Sequence, residues 1–110
     1  MRDDVRSYGD FYRLPRAAFE RIKDHLPYPQ VDYRDGVLRV DHEGQYIDIE
    51  DFLKEIAGLL EPDGWGKVDF IDHLDQKLTR YEIRDGKITS RTLDFNQATG
   101  SPLGGLSRID

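Results

Sequence analysis

Cysteine is absent from the 110 residues. That absence alone removes a disulfide framework, a thiolate zinc site and a cysteine nucleophile. No apolar run approaches the ~20 residues that a membrane-spanning helix needs. The opening stretch MRDDVRSYGD also lacks the apolar centre of a signal peptide. There is no glycine-rich phosphate loop, because Gly104-Gly105 precedes no strand–helix unit. Ser7, Ser90, Ser101 and Ser107 stand in no nucleophile-elbow context. Excess basic charge is missing too: 16 Lys/Arg face 22 Asp/Glu, for a formal net charge of −6. These absences exclude the commonest catalytic signatures. They leave the expectation of a cytoplasmic protein with no membrane contact, no cofactor and no legible catalytic residue.

What the chain does have is charge and a modest apolar fraction. Charged residues make up 35% and hydrophobic residues 37%, with six Tyr, five Phe and one Trp. That is too apolar for a disordered chain and the right length for one domain. The charge is unevenly spread, with a net of −9 over residues 41–75 against +1 before and +2 after. An acidic stretch of this density repels a phosphate backbone, so direct nucleic-acid binding is not expected of it. It suits a cationic protein partner or a divalent metal.

The stretch from Val37 to Leu74 organises the rest. Phe52, Leu53, Ile56, Leu59 and Leu60 form an apolar stripe at helical period. Asp48 is placed to cap that helix, Glu50 and Asp51 sit at its positive end, and Pro62 stops it. Gly58 falls inside this stripe, which suggests a close approach to a sheet. Pro15 to Leu26 reads as a second, shorter amphipathic helix with Ala18, Phe19, Ile22 and Leu26 on one face; His25 lies at its end.

Asp35-Gly36, Glu43-Gly44 and Asp85-Gly86 are hairpin signals, since a two-residue primed turn needs positive φ at both positions. They predict strands near 30–34, 37–41 and 45–49, and later ones over Lys67–Leu74, Lys77–Ile83 and Lys87–Phe95. Leu93 and Phe95 are inward candidates, and residues 1–13 show no clean period. The expected fold is a single α+β domain over residues 1–95. It has about six short, mostly antiparallel strands in the order α-β-β-β-α-β-β-β, with two helices packed on them. Residues 96–110, rich in Gly, Ser and Pro, read as a flexible tail.

The candidate chemistry gathers at the acidic end of the central helix. A right-handed strand–helix–strand crossover sets Asp72, His73 and Asp75 beside Asp48, Glu50 and Asp51. It sends His42 to the opposite end of the sheet, roughly 20 Å away. The leading reading of these six residues is an acidic rim that docks a basic partner. Asp72, His73 and Asp75 as a metal site, in a small metal-dependent enzyme or metal-binding protein, are the alternative. Trp65, between two glycines, either closes the core under the helix end or points outward as a binding hot spot.

Pro62-Asp63 and Asp85-Gly86-Lys87 together spell the letters of a PD…DxK endonuclease site, but Asp-Gly-Lys is sufficiently explained as a turn. Arg80, Arg84, Lys87 and Arg91 read as a balancing charged face. The functional expectation is a protein-binding inhibitor, such as a toxin-immunity protein or a phage- or mobile-element-encoded anti-defence protein. Its expected partner is a nuclease or another nucleic-acid-binding enzyme. A homodimer or homo-oligomeric structural protein is the further alternative.

Overall fold

The computed structural model describes residues 5–94 and has an N-terminal strand at its centre. β1 (Val5–Tyr12) pairs antiparallel with β3 (Val37–Gly44) on one side and β4 (Trp65–Asp72) on the other. β2 (Gln30–Arg34) extends the β3 side, and the hairpin of β5 (Lys77–Arg84) and β6 (Lys87–Asp94) extends the β4 side. The sheet order is therefore β2-β3-β1-β4-β5-β6, antiparallel throughout. α1 (Arg16–Ile22, followed by a 3₁₀ turn) links β1 to β2, and α2 (Glu50–Ala57) links β3 to β4. Each linked strand pair runs in one direction with another strand between them, so the first six elements are two interleaved split βαβ units of ferredoxin-like topology. The β5–β6 hairpin is an addition at one edge. This is an α+β domain of six strands and two helices.

Both helices lie on one face of the sheet. Phe11, Leu38, Val40, Val68 and Ile83 project toward them and join Ala18, Ile22, Tyr28, Phe52, Leu53 and Ile56 in a continuous core. Phe11 sits edge-on against Phe52 at 5.5 Å, and Tyr28 meets the same ring at 5.7 Å. The β1–β4 pairing depends on two glycines. A Cβ at Gly66 would lie 2.5 Å from the Phe11 ring, and one at Gly9 would lie 2.3 Å from the Lys67 carbonyl oxygen. Neither position admits a side chain. The large residue of each pair occupies the space that its glycine partner vacates.

Several expectations change. The unassigned residues 5–12 are the central strand, so the element order is β-α-β-β-α-β-β-β. The strand expected over 45–49 is absent: β3 runs to Gly44 and the chain then leaves the sheet. Glu43-Gly44 is thus a strand end and not a hairpin turn. Asp35-Gly36 and Asp85-Gly86 are the expected turns, with φ of 53° and 81° in the first and 53° and 73° in the second. α2 stops at Ala57, and Gly58 is an exposed C-cap with no close approach to the sheet. Ile49 occupies the N-cap position; Asp48, one residue earlier, accepts the Glu50 N–H at 3.1 Å through its carboxylate. Leu93 lies opposite Leu78, on the sheet face away from the helices. Phe95 and the tail expected over 96–110 lie outside the described residues. Among the described residues no helix is long and apolar enough to cross a membrane.

Ile56 is fully buried beneath α2. Ile56→Asp should cost on the order of 4 kcal/mol, because it buries an unpaired charge; urea unfolding measures this, and native-like stability would remove that face from the core. A second expectation concerns alkali. Buried Tyr28 shares a 2.7 Å hydrogen bond with buried Ser7. Burial pushes its phenol well above the ordinary 10.0, and the Ser7 bond only partly offsets this. The folded pKa is raised, so this stability is present below pH ~10 and is lost as pH rises above it. Melting of the native chain should fall more steeply above pH ~10 than that of Tyr28→Phe. The variant should lose about 1 kcal/mol at neutral pH.

Candidate functional site

The acidic residues take their positions from a loop that mimics a strand. In Gln45–Ile49 the side chains alternate: Ile47 and Ile49 turn into the core, while Tyr46 and Asp48 turn out. Without a strand partner this alternation is extended loop. The loop is anchored by its two isoleucines and by His42, whose Nε2–H donates to the Gln45 carbonyl at 2.7 Å. Tyr46 is thereby held 57% exposed, with its ring 5.7 Å from Phe70 at 66°.

α2 covers only part of the strands beneath it. Its C-terminal end reaches the β5–β6 turn, where the Ala57 carbonyl lies 3.9 Å from where a Gly86 Cβ would be. Its acidic N-terminal end stands near Tyr81, which is level with Val68. The Tyr81 phenol is shifted above 10.0 chiefly by partial burial and then by Glu50, Tyr46 and Asp48. Phe70 and Tyr81 lie on the same face of β4 and β5, two residues apart in register, and Tyr46 packs on Phe70, so the three rings form an aromatic corner next to the start of α2.

At the end of β4, Asp72 accepts the Leu74 and Asp75 N–H groups at 3.0 and 3.1 Å and closes the turn that carries His73. Leu74 at that turn is 67% exposed. Two of the three exposed large hydrophobic residues among the described residues, Tyr46 and Leu74, thus border this region.

Of the six expected rim residues, Asp48, Glu50 and Asp51 lie at the start of α2, and Asp72, His73 and Asp75 at the end of β4 and in the turn that follows it. The aromatic corner lies alongside, and the pattern of acids alone gave no sign of it. Exposed Tyr46 in QYIDI was the available signal, obscured by reading the segment as a strand. The five acids among the six form no ion pair within the described residues, in contrast to eight other carboxylates, of which Glu55 is paired with a histidine. These eight are Asp10, Glu20, Asp32, Asp41, Glu55, Glu61, Asp63 and Asp69.

The expected separation of His42 from His73 is overturned. Gly44, Val5 and Asp72 share one register level across β3, β1 and β4, so both histidines lie at the same end of the sheet. His42 is nonetheless engaged with Gln45, and no three His, Asp or Glu side chains gather at metal-ligating distance among the described residues. His25 bonds Glu55 at 3.1 Å, and Asp63 bonds Arg13 at 3.1 Å. Asp85 and Gly86 lie in the β5–β6 turn, as a turn role for the PD…DxK letters requires.

The other sheet face is not covered by either helix. Trp65 lies there and not under α2: it stacks on Tyr12 at 4.5 Å, and the Arg84 guanidinium stands 5.3 Å over the ring. An open trough of about 650 Å³ crosses the middle of this face, lined by Tyr8, Asp10, Arg39, Lys67, Asp69 and Arg80 among others. In it, Arg80 grips Asp69 across the β4–β5 pair with two bonds of 2.6 and 2.8 Å. Both side chains are at most 7% exposed.

The fold and surface define a split βαβ domain with an added hairpin, an aromatic corner beside the helix layer and an open charged sheet face. No family model matches the chain, and no curated protein or solved structure matches it.

The buried pair allows a direct test. Arg80→Met should cost about 3–5 kcal/mol, because it strands the Asp69 carboxylate. Asp69→Leu combined with Arg80→Met should recover most of that loss. Urea unfolding of the two single variants and the double variant gives the coupling. Additive losses would show that the pair does not act as a unit.

Proposed function

We propose that this protein is a cytoplasmic docking module that binds a basic protein partner. The partner meets the aromatic corner of Tyr46, Phe70 and Tyr81 between the acids of α2 and the Asp72–Asp75 turn. The observation that carries this reading is the exposed Tyr46 ring beside half-buried Phe70 and Tyr81, flanked by acids that form no ion pair among the described residues. Docking surfaces have this anatomy, with anchoring rings at the centre and charge around them. These acids also give a field that attracts a cationic surface over roughly 10 Å at moderate salt. Inhibition of a nucleic-acid enzyme, in the manner of an immunity or anti-defence protein, is the setting that best fits an acidic docking surface. Such an enzyme presents a basic face to its own substrate.

The experiment is association kinetics against the partner recovered from the native host. Asn or Gln in place of Asp48, Glu50 and Asp51 should slow association about tenfold at low salt and much less at high salt. Stability should fall by no more than about 1 kcal/mol, from the lost Asp48 contact to the helix start. Unchanged association and unchanged salt dependence would place the interface elsewhere, with the Trp65 face the next surface to test.

A further inference from the structure

We propose that the Tyr46–Phe70–Tyr81 corner seats an arginine side chain of the partner. This deepens the docking reading and rests on it. The argument begins with how the chain treats its other aromatic rings. Arg6 stands 4.9 Å over Tyr8, Arg16 stands 5.1 Å over Tyr33, and Arg84 stands 5.3 Å over Trp65. Three partly exposed rings are thus capped by the chain's own guanidinium groups. The corner has no such cap among the described residues, although Tyr46 is the most exposed aromatic ring among them. In place of a cation it has Asp48 and Glu50 on the loop and helix start that carry Tyr46 to Phe70; the Tyr81 phenol is raised first by burial and then by Glu50, Tyr46 and Asp48.

The geometry suits a planar cation. Tyr46 and Phe70 meet at 66° with centroids 5.7 Å apart, so they are two adjoining walls and not a closed stack. A guanidinium laid on the Tyr46 face would meet the negative π surface while its N–H groups pointed toward carboxylate oxygens. Arginine fits better than lysine because its planar fork stacks and pairs at once and is more weakly hydrated than an ammonium. One Asp48 oxygen is already committed to the Glu50 N–H, which leaves its second oxygen and the Glu50 carboxylate for the ligand.

The test needs no partner. N-acetyl-arginine amide, its neutral citrulline isostere and tetramethylammonium are titrated against the intact protein, with the Tyr46, Phe70 and Tyr81 ring protons read by NMR. Arginine amide should produce saturable shifts in the millimolar range at these rings. Citrulline amide should bind about tenfold more weakly, a difference of about 1.4 kcal/mol. Tyr46→Leu keeps apolar area but removes the ring, and should weaken arginine binding severalfold. Tyr46→Trp should match or exceed the native chain. Tyr46 is exposed, so unchanged melting of both variants checks that folding is intact.

Citrulline binding as tight as arginine, shifts untouched by Tyr46→Leu, or tetramethylammonium outcompeting arginine would each overturn the proposal. Failure of the docking reading looks different. There the corner would still take arginine amide, while neutralising Asp48, Glu50 and Asp51 would leave partner association unchanged.

Discussion

The structure depends on the two-sided pairing of β1. Its backbone bonds to β3 on one edge and β4 on the other, and without it the two βαβ units have no common strand. Fully buried Phe11 covers Gly66 while Val68 packs where a Gly9 side chain would stand. This exchange of large and small residues sets how closely β1 and β4 approach. The same register sets Gly44 level with Asp72 and therefore decides which loops share an end of the sheet. The location of every acidic residue discussed above follows from it.

That pairing was also the least legible feature of the sequence. The inward positions of VRSYGDFY are Val5, Ser7, Gly9 and Phe11, and only the outer two are apolar. Ser7 is small and polar because Tyr28 reaches it; Gly9 is bare because its neighbour needs the room. The alternation that marks a strand was erased by the packing that makes it central. QYIDI shows the opposite error, with alternating residues that turn in and out along an extended loop. Period alone cannot report whether a partner strand exists. By contrast, α2 and the two Asp-Gly hairpins were legible because their signals are local: an i, i+4 stripe and positive φ. The acids of the rim were legible as residues, but the aromatic corner beside them was not, since it needs the register.

Charge is sorted by layer as well as by sequence. The open sheet face carries Arg6, Arg39, Lys67, Arg80, Arg84, Lys87 and Arg91; one level alternates in sign through Asp32, Arg39, Asp10, Lys67 and Glu82, while Arg80 faces Arg91 and Arg84 faces Lys87 at the β5–β6 edge. Arg39 pairs with Asp10 at 3.6 Å, Arg6 with Asp41 at 3.4 Å and Arg80 with Asp69 at 2.6 Å. Opposite charges set side by side on one face satisfy each other. Asp48, Glu50, Asp51 and Asp75 lie in loop, helix and turn positions outside the ladder, whereas Asp72 ends β4 level with Lys77.

The aromatic corner exists because of a mismatch in length. A helix of eight residues such as α2 spans about 12 Å, whereas the eight-residue strands beneath it span about 26 Å. α2 is anchored at the β5–β6 turn, so the uncovered part of β4 and β5 lies at the other end, toward Phe70 and Thr79. A longer helix would bury Phe70 and Tyr81 as core and push its acidic start out to the Asp72 turn. The short one leaves two half-buried rings at the layer boundary, and the Gln45–Ile49 loop adds a third in Tyr46. The rings are kept partly wet by geometry, and the helix that fails to cover them delivers its carboxylates to their border. Apolar surface and negative charge therefore meet because α2 ends where it does.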